Sequence, residues 1–214
     1  MSSGNMLSLE QGKKLIEIAR KSISAHFKNQ ENQKIFGIPK TEGFRDEKFE
    51  IKEFPERKGV FVTLNSYPEK ELRGCIGYPY AVLPLGNAIS EAAVAAAVSD
   101  PRFEPLSKFE VDSIIIEISI LTAPEEIKTP KEKILEEINI GKDGLICQYN
   151  KSSGLLLPQV ATENKMNAKE FLDCVCNKAG LPQNTWKKPE CKIYKFQAQI
   201  FLEKSPNGEV KEEK

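Results

Sequence analysis

Apolar residues recur at helical spacing at Leu15, Ile16, Ala19, Ile23 and Phe27, behind a Ser8–Gln11 capping box, and predict a helix over about 9–28. Residues 29–47 turn polar and carry Gly37, Pro39 and Gly43, which predicts a loop. Positions 49–52 alternate as a short strand. Runs 59–64 and 72–77 flank a turn containing Pro68 and predict an antiparallel hairpin. Pro84 suits the first turn of an alanine-rich helix over about 85–98, which Ser99, Asp100 and Pro101 stop. Residues 100–105 form a rigid connector, and 106–111 one helical turn. The clearest strand is 113–121. One face carries Ile114, Ile116, Ile118 and Ile120; the other carries Ser113, Ile115, Glu117, Ser119 and Leu121.

A second capping box, Thr129 with Glu132, opens a short helix to about 138. Runs 145–149 and 155–157 pair as a hairpin around 150–154. Asn167 and Glu170 cap a helix that turns Phe171, Leu172, Val175 and Ala179 inward, and Gly180 and Pro182 end it. Residues 191–202 read as one long strand with Tyr194, Phe196, Ala198, Ile200 and Leu202 on a face. From Ser205 the chain is charged and reads as a flexible tail after a single domain over 1–204. Hairpins and helices mix without strict alternation, so the class is α+β with a mainly antiparallel sheet.

Composition narrows the function. Lysine plus arginine equals aspartate plus glutamate, 31 each, so non-specific nucleic-acid binding is not expected. Lys187, Lys188, Lys192 and Lys195 cluster near Trp186 and Tyr194 and read as a solvated face. No apolar run reaches membrane-spanning length, and the first residues lack a basic region followed by an apolar one. Five scattered cysteines do not make a disulfide framework, which points to the reducing cytoplasm. His26 is the only histidine, so a His-rich metal site is excluded. Cys174 and Cys176 diverge by about 200° on a helix and are a poor metal pair. No phosphate-binding glycine loop follows a strand. Neither a metal nor a cofactor is expected.

The stretch LRGCIG is where chemistry concentrates. On a strand, Arg73 and Cys75 share one face, about 7 Å apart, while Leu72 and Ile76 point to a core. Gly74 and Gly77 let another backbone or a small ligand come close. A guanidinium near Cys75 would lower its pKa toward a useful thiolate, as would the amino end of the following helix. A small packing residue is the plain reading of the same cysteine. Glu117, in the middle of an apolar strand, needs a partner such as Arg73 or Arg102, or else serves as a general base or ligand anchor.

The runs LRGCIGYPYAVLPLGNAISEAAVAAAVSDPRFEPL, IEISILTAPEEI, IGKDGLIC, SGLLLPQVATE and EFLDCVCNKAGLP, in that order, resemble the AMMECR family. That family is named for the Alport syndrome, midface hypoplasia and elliptocytosis chromosomal region. The resemblance implies an α+β protein of two unequal, closely packed subdomains. Its motif positions fall on Arg73, Gly74, Cys75 and Gly77, on Asp100, Pro101, Arg102 and Phe103, on Glu117, and on Gly154, Leu157, Pro158 and Gln159. Many relatives carry an aromatic after the PQVA-type segment; here Met166 is expected to fill that apolar gap. The family brings no established activity, but its neighbours imply a Memo-like or radical-SAM protein partner. Two functions follow as expectations. One is an enzyme or enzyme subunit acting on a small molecule in a cleft lined by Arg73, Cys75, Asp100, Arg102 and Glu117. The other is a non-catalytic adaptor.

Overall fold

The computed structural model describes residues 6–36 and 51–213. In chain order its main elements are α1 (Leu9–Phe36), β1 (Gly59–Ser66), β2 (Leu72–Tyr78), α2 (Leu85–Val98), β3 (Ile114–Leu121), β4 (Glu125–Glu126), β5 (Gly144–Tyr149), β6 (Ser152–Leu156), α3 (Pro158–Glu163), α4 (Ala168–Lys178), β7 (Lys192–Phe196), β8 (Ala198–Glu203) and β9 (Val210–Glu213). They form two compact units, Met1–Ile120 with Gln199–Lys214, and Leu121–Ala198. The class is α+β with two antiparallel sheets.

In the first unit the sheet order is β2-β1-β3-β8-β9. Helix α1 starts at the predicted box, with Ser8 N–H donating to Gln11 Oε1 at 2.9 Å. Its predicted apolar set, Leu15, Ile16, Ala19, Ile23 and Phe27, is buried. The helix runs on to Phe36 because no glycine or proline occurs over 29–36; the polar residues there are tolerable helix formers. The rest of the predicted loop, and the first half of the 49–52 strand, lie outside the described residues, while Ile51 and Lys52 are not in a strand.

Helix α2 follows Pro84, which stands at the cap position rather than inside the first turn. Its buried Ala88, Ala92, Ala93 and Ala96 let it lie close on β1 and β2, and α1 packs against it. The isoleucines of β3 at 114, 116, 118 and 120 join Val60, Val62 and Leu64 in this core. The residues after Ser205 do not form a free tail: Val210–Glu213 pairs with β8 as β9.

The second unit has the sheet order β4-β7-β5-β6, with α4 lying on β5 and β6. Asn167 and Glu170 cap α4 reciprocally, at 3.0 and 2.8 Å. Gly154 lets the end of that helix approach, since a Cβ there would sit 2.4 Å from the Ala179 nitrogen. The β5–β6 turn is shorter than predicted. Asn150, at φ 54°, turns the chain, and Ser152 to Gly154 are paired strand residues. Segment Lys131–Glu137 is a 3-10 helix with Pro130 at the cap position, and the Thr129 hydroxyl donates to Glu137 at 3.3 Å.

The predicted strand over 191–202 is two strands. Gln197 breaks it, β7 serves one sheet and β8 the other. Ile193 and Phe201 enter the cores rather than Tyr194 and Leu202, while Phe196 of the predicted face is buried.

Candidate functional site

Strand β2 is an edge, and β1 is its antiparallel neighbour with Thr63 opposite Cys75. Gly74, Ile76 and Tyr78 face the helices. A Cβ on Gly74 would lie 2.1 Å from the Ala96 carbonyl oxygen, so this glycine sets the close approach of α2 to the strand. Tyr78 donates to Glu91 on α2 at 2.8 Å. Leu72 is exposed, contrary to expectation, because α2 ends just beyond the residue that Gly74 touches. Arg73, Cys75 and Gly77 take the opposite face. A Cβ on Gly77 would meet the Val60 carbonyl oxygen at 2.2 Å, so close approach here is by the neighbouring strand.

Asp100 and Arg102 clamp the free edge of β2. The Cys75 N–H donates to Asp100 Oδ2 at 2.9 Å, and Arg102 Nη2 donates to the Cys75 carbonyl at 3.3 Å. Arg102 also grips the Asp100 carboxylate, through Nε at 3.0 Å and Nη2 at 2.7 Å. That guanidinium, helped by the Cys75 and Arg102 N–H groups and opposed by burial, holds Asp100 far below the usual carboxylate range. The DPR segment thus closes backbone groups that would otherwise template another strand.

Arg73 does not reach the thiol in the way the sequence suggested. Its Nε donates to Glu110 at 3.1 Å and its Nη1 to the Glu104 carbonyl at 2.7 Å, tying β2 to the connector. Cys75 is half-buried, and burial pushes its thiol above the ordinary value. The Thr63 hydroxyl, donating to Sγ at 3.3 Å, and Arg102 pull the other way; Glu117 and Asp100 add to the rise. The amino end of α2 gives no help, since α2 packs on the other face. Alkylation of folded protein by iodoacetamide will therefore show Cys75 titrating above the range of a free thiol. Peptide mass spectrometry across pH checks this, and an apparent pKa below 8 would overturn it.

Glu117 is half-buried on β3, and its charge acts on Cys75. The arginines named as its partners are engaged elsewhere, Arg73 with Glu110 and Arg102 with Asp100. Glu117 lines a cavity of about 340 Å³ with Lys70, Lys204, Lys211 and Glu213 around it. Of the predicted residues, that lining includes Glu117 and not Arg73, Cys75, Asp100 or Arg102. Gln159 belongs to the second unit, as the second residue of α3. Among the described residues no group of three or more His, Cys, Asp or Glu is arranged to hold a metal ion, and no helix is long and apolar enough to cross a membrane.

A sequence profile of the AMMECR1 family matches residues 16–201. The chain belongs to the AMMECR1 family. It is 54% identical over 163 residues to Protein MJ0810 of Methanocaldococcus jannaschii, covering 75% of this chain and 81% of that one. It is 43% identical over 206 residues to Protein TV1384 of Thermoplasma volcanium, covering 96% of each. Among solved structures it is similar to the uncharacterized protein PH0010 from Pyrococcus horikoshii, with a TM-score of 0.82 at 42% identity, over 95% of this chain and 97% of that one.

Several polar anchors of this AMMECR1-family chain are invisible in its motifs. Arg20, on the buried side of α1, grips Glu203 with Nε at 2.7 Å and Nη2 at 2.6 Å. Asp173 takes the Trp186 indole N–H at 2.8 Å, the Asn184 N–H at 2.7 Å and Lys169 at 2.9 Å. Burial works to raise Asp173, but these donors outweigh it and lower its pKa. A charge at an inward helical position was the available signal for both Arg20 and Asp173. The lysine cluster is engaged piecemeal: Lys187 stacks on Trp186 and Lys188 on Tyr149, while Lys195 pairs with Glu137. Met166 packs against the second core.

Proposed function

We propose that this AMMECR1-family protein binds a small polar molecule on the face of the five-stranded sheet turned away from α2, and acts there as an enzyme or enzyme subunit. The observation that carries this reading is the cavity at Glu117. Its volume lies at the low end of small-ligand sites. Its charges are mixed: Glu117, Glu203 and Glu213 share the lining with Lys70, Lys204 and Lys211. A ligand with one cationic and one anionic group, such as an amino acid or a phosphorylated amine, matches that pattern. Glu117 anchors the cation, and the lysines take the anion. Cys75 and Arg73 then support the strand beside the cavity rather than attack the ligand.

The test is a thermal-shift screen of zwitterionic small molecules, followed by calorimetry on the hits. Glu117→Gln should weaken a true hit at least about tenfold, while Cys75→Ser leaves it within about twofold. A hit indifferent to Glu117→Gln would refute the site, and one abolished by Cys75→Ser would restore the nucleophile.

An adaptor for a Memo-like or radical-SAM protein is the second reading. It draws on exposed apolar side chains of the first unit: Phe109 is 89% exposed and Leu72 41%. Phe109 adjoins Glu110, the partner of Arg73, so both flank the same ion pair. Loss of co-purification with such a partner in Phe109→Ser, with ligand screening negative, would favour it.

A further inference from the structure

Three thiols meet inside the second unit, brought together by three different elements. Cys147 lies on β5, Cys176 on α4, and Cys191 immediately precedes β7. The Cys147 sulfur is 3.5 Å from that of Cys191 and 3.7 Å from that of Cys176. All three are reduced and essentially inaccessible. Cys174, on the same helix, is only partly buried. Packing alone does not call for three sulfurs in contact, since alanine or valine fills such space without reactivity.

We propose that Cys147 and Cys191 form a reversible disulfide when the protein meets hydrogen peroxide. The register makes the pair a near neighbour: Cys147 is opposite Ile193 on β7, two residues beyond Cys191. The sulfurs have only to close from contact distance to a bond of about 2.05 Å. Cys191 is the attacking thiol. Its sulfur touches that of Cys147, and Lys131 and Lys188 lie close enough to favour its anion, which together lower its pKa against burial. Cys147, in contact with the sulfurs of Cys176 and Cys191 and buried, is held as a thiol.

The chemistry balances without a cofactor. The Cys191 thiolate attacks one peroxide oxygen, the O–O bond breaks, and the other oxygen leaves as hydroxide, taking the Cys147 proton to become water. Cys191 is then a sulfenic acid. The Cys147 sulfur attacks the Cys191 sulfur, the S–O bond breaks, and a second hydroxide leaves and takes up a proton as water. Two thiols lose two electrons in total, and one peroxide becomes two waters. A reducing thiol pair reverses the change. Because the sulfurs are covered, the rate follows local opening of the unit, so a small oxidant acts where a bulky one does not.

The test uses the intact protein. It is exposed to peroxide under native conditions, unfolded in N-ethylmaleimide, digested without reductant and mapped by mass spectrometry. The expected product is the Cys147 peptide joined to the Cys191 peptide, lost after dithiothreitol. Cys176→Ala should retain it and Cys147→Ala should abolish it, with circular dichroism as the folding control. The wild-type map decides the matter even if a variant fails to fold. Recovery of all three as thiols at a dose that oxidises Cys174 would overturn the proposal. A Cys147–Cys176 bridge in its place would overturn the role given to Cys191.

Discussion

Glu203→Gln will destabilise the first unit by about 3–5 kcal/mol, the cost of leaving a buried ion without its counter-ion. Arg20 is 9% exposed and Glu203 2%. The arginine spends its donors on both carboxylate oxygens and on the Val111 and Ile114 carbonyls. Glu203 in turn accepts the Ile116 N–H at 2.9 Å. One pair therefore joins α1, β3 and β8. Glutamine keeps the shape but not the charge, and the guanidinium stays trapped under α1. Urea unfolding of wild type and variant measures the loss, and amide exchange in α1 and β3 locates it. The double replacement Arg20→Met with Glu203→Leu should recover much of it, since an apolar pair of similar volume escapes the desolvation cost. A single variant within about 0.5 kcal/mol of wild type, the range of ordinary surface changes, would show that the pair contributes little.

That pair also marks where sequence reading stops. The α1 stripe, the alanine face of α2 and the isoleucine face of β3 follow from periodicity, because burial repeats with the local geometry. The partners of Arg73, Arg102 and Glu203 do not, because ion pairing is decided by tertiary distance. Asp100 and Arg102 were legible as a motif, but their job was not: they hold the backbone of Cys75 rather than its thiol. The break at Gln197 was hidden for a different reason. A continuous alternating run says nothing about which sheet each half joins, so β7 and β8 looked like one strand. The cysteines show the same limit. Their spacing along the chain placed Cys174 and Cys176 on diverging faces, which is correct, and gave no hint that Cys176 meets Cys147 and Cys191.

Asp100→Asn will cost about 1.5–3 kcal/mol at neutral pH, the range for a hydrogen bond to a charged group. The half-exposed Arg102 contributes the screened, smaller part. The amide side chain still accepts from Cys75, but it no longer holds the guanidinium that reaches the Cys75 carbonyl. The edge of β2 loosens as a result. The sign of the pH dependence follows from the direction of the shift. Asp100 is depressed in the folded protein, so its contribution is complete above the unfolded carboxylate value, about pH 4, and drains away as pH falls toward the lower folded value. The gap between wild type and Asp100→Asn should therefore be widest near neutrality and shrink below about pH 4. The acid limb of the variant will be shallower without vanishing, because Glu110 and Asp173 are depressed too. Unfolding curves at a series of pH values give the slopes. Exchange of the Cys75 amide gives the local readout: it should quicken in the variant at pH 7. If that amide stays as protected as in wild type, the carboxylate is not what closes the edge, and the DPR segment has some other task beside the RGCIG strand.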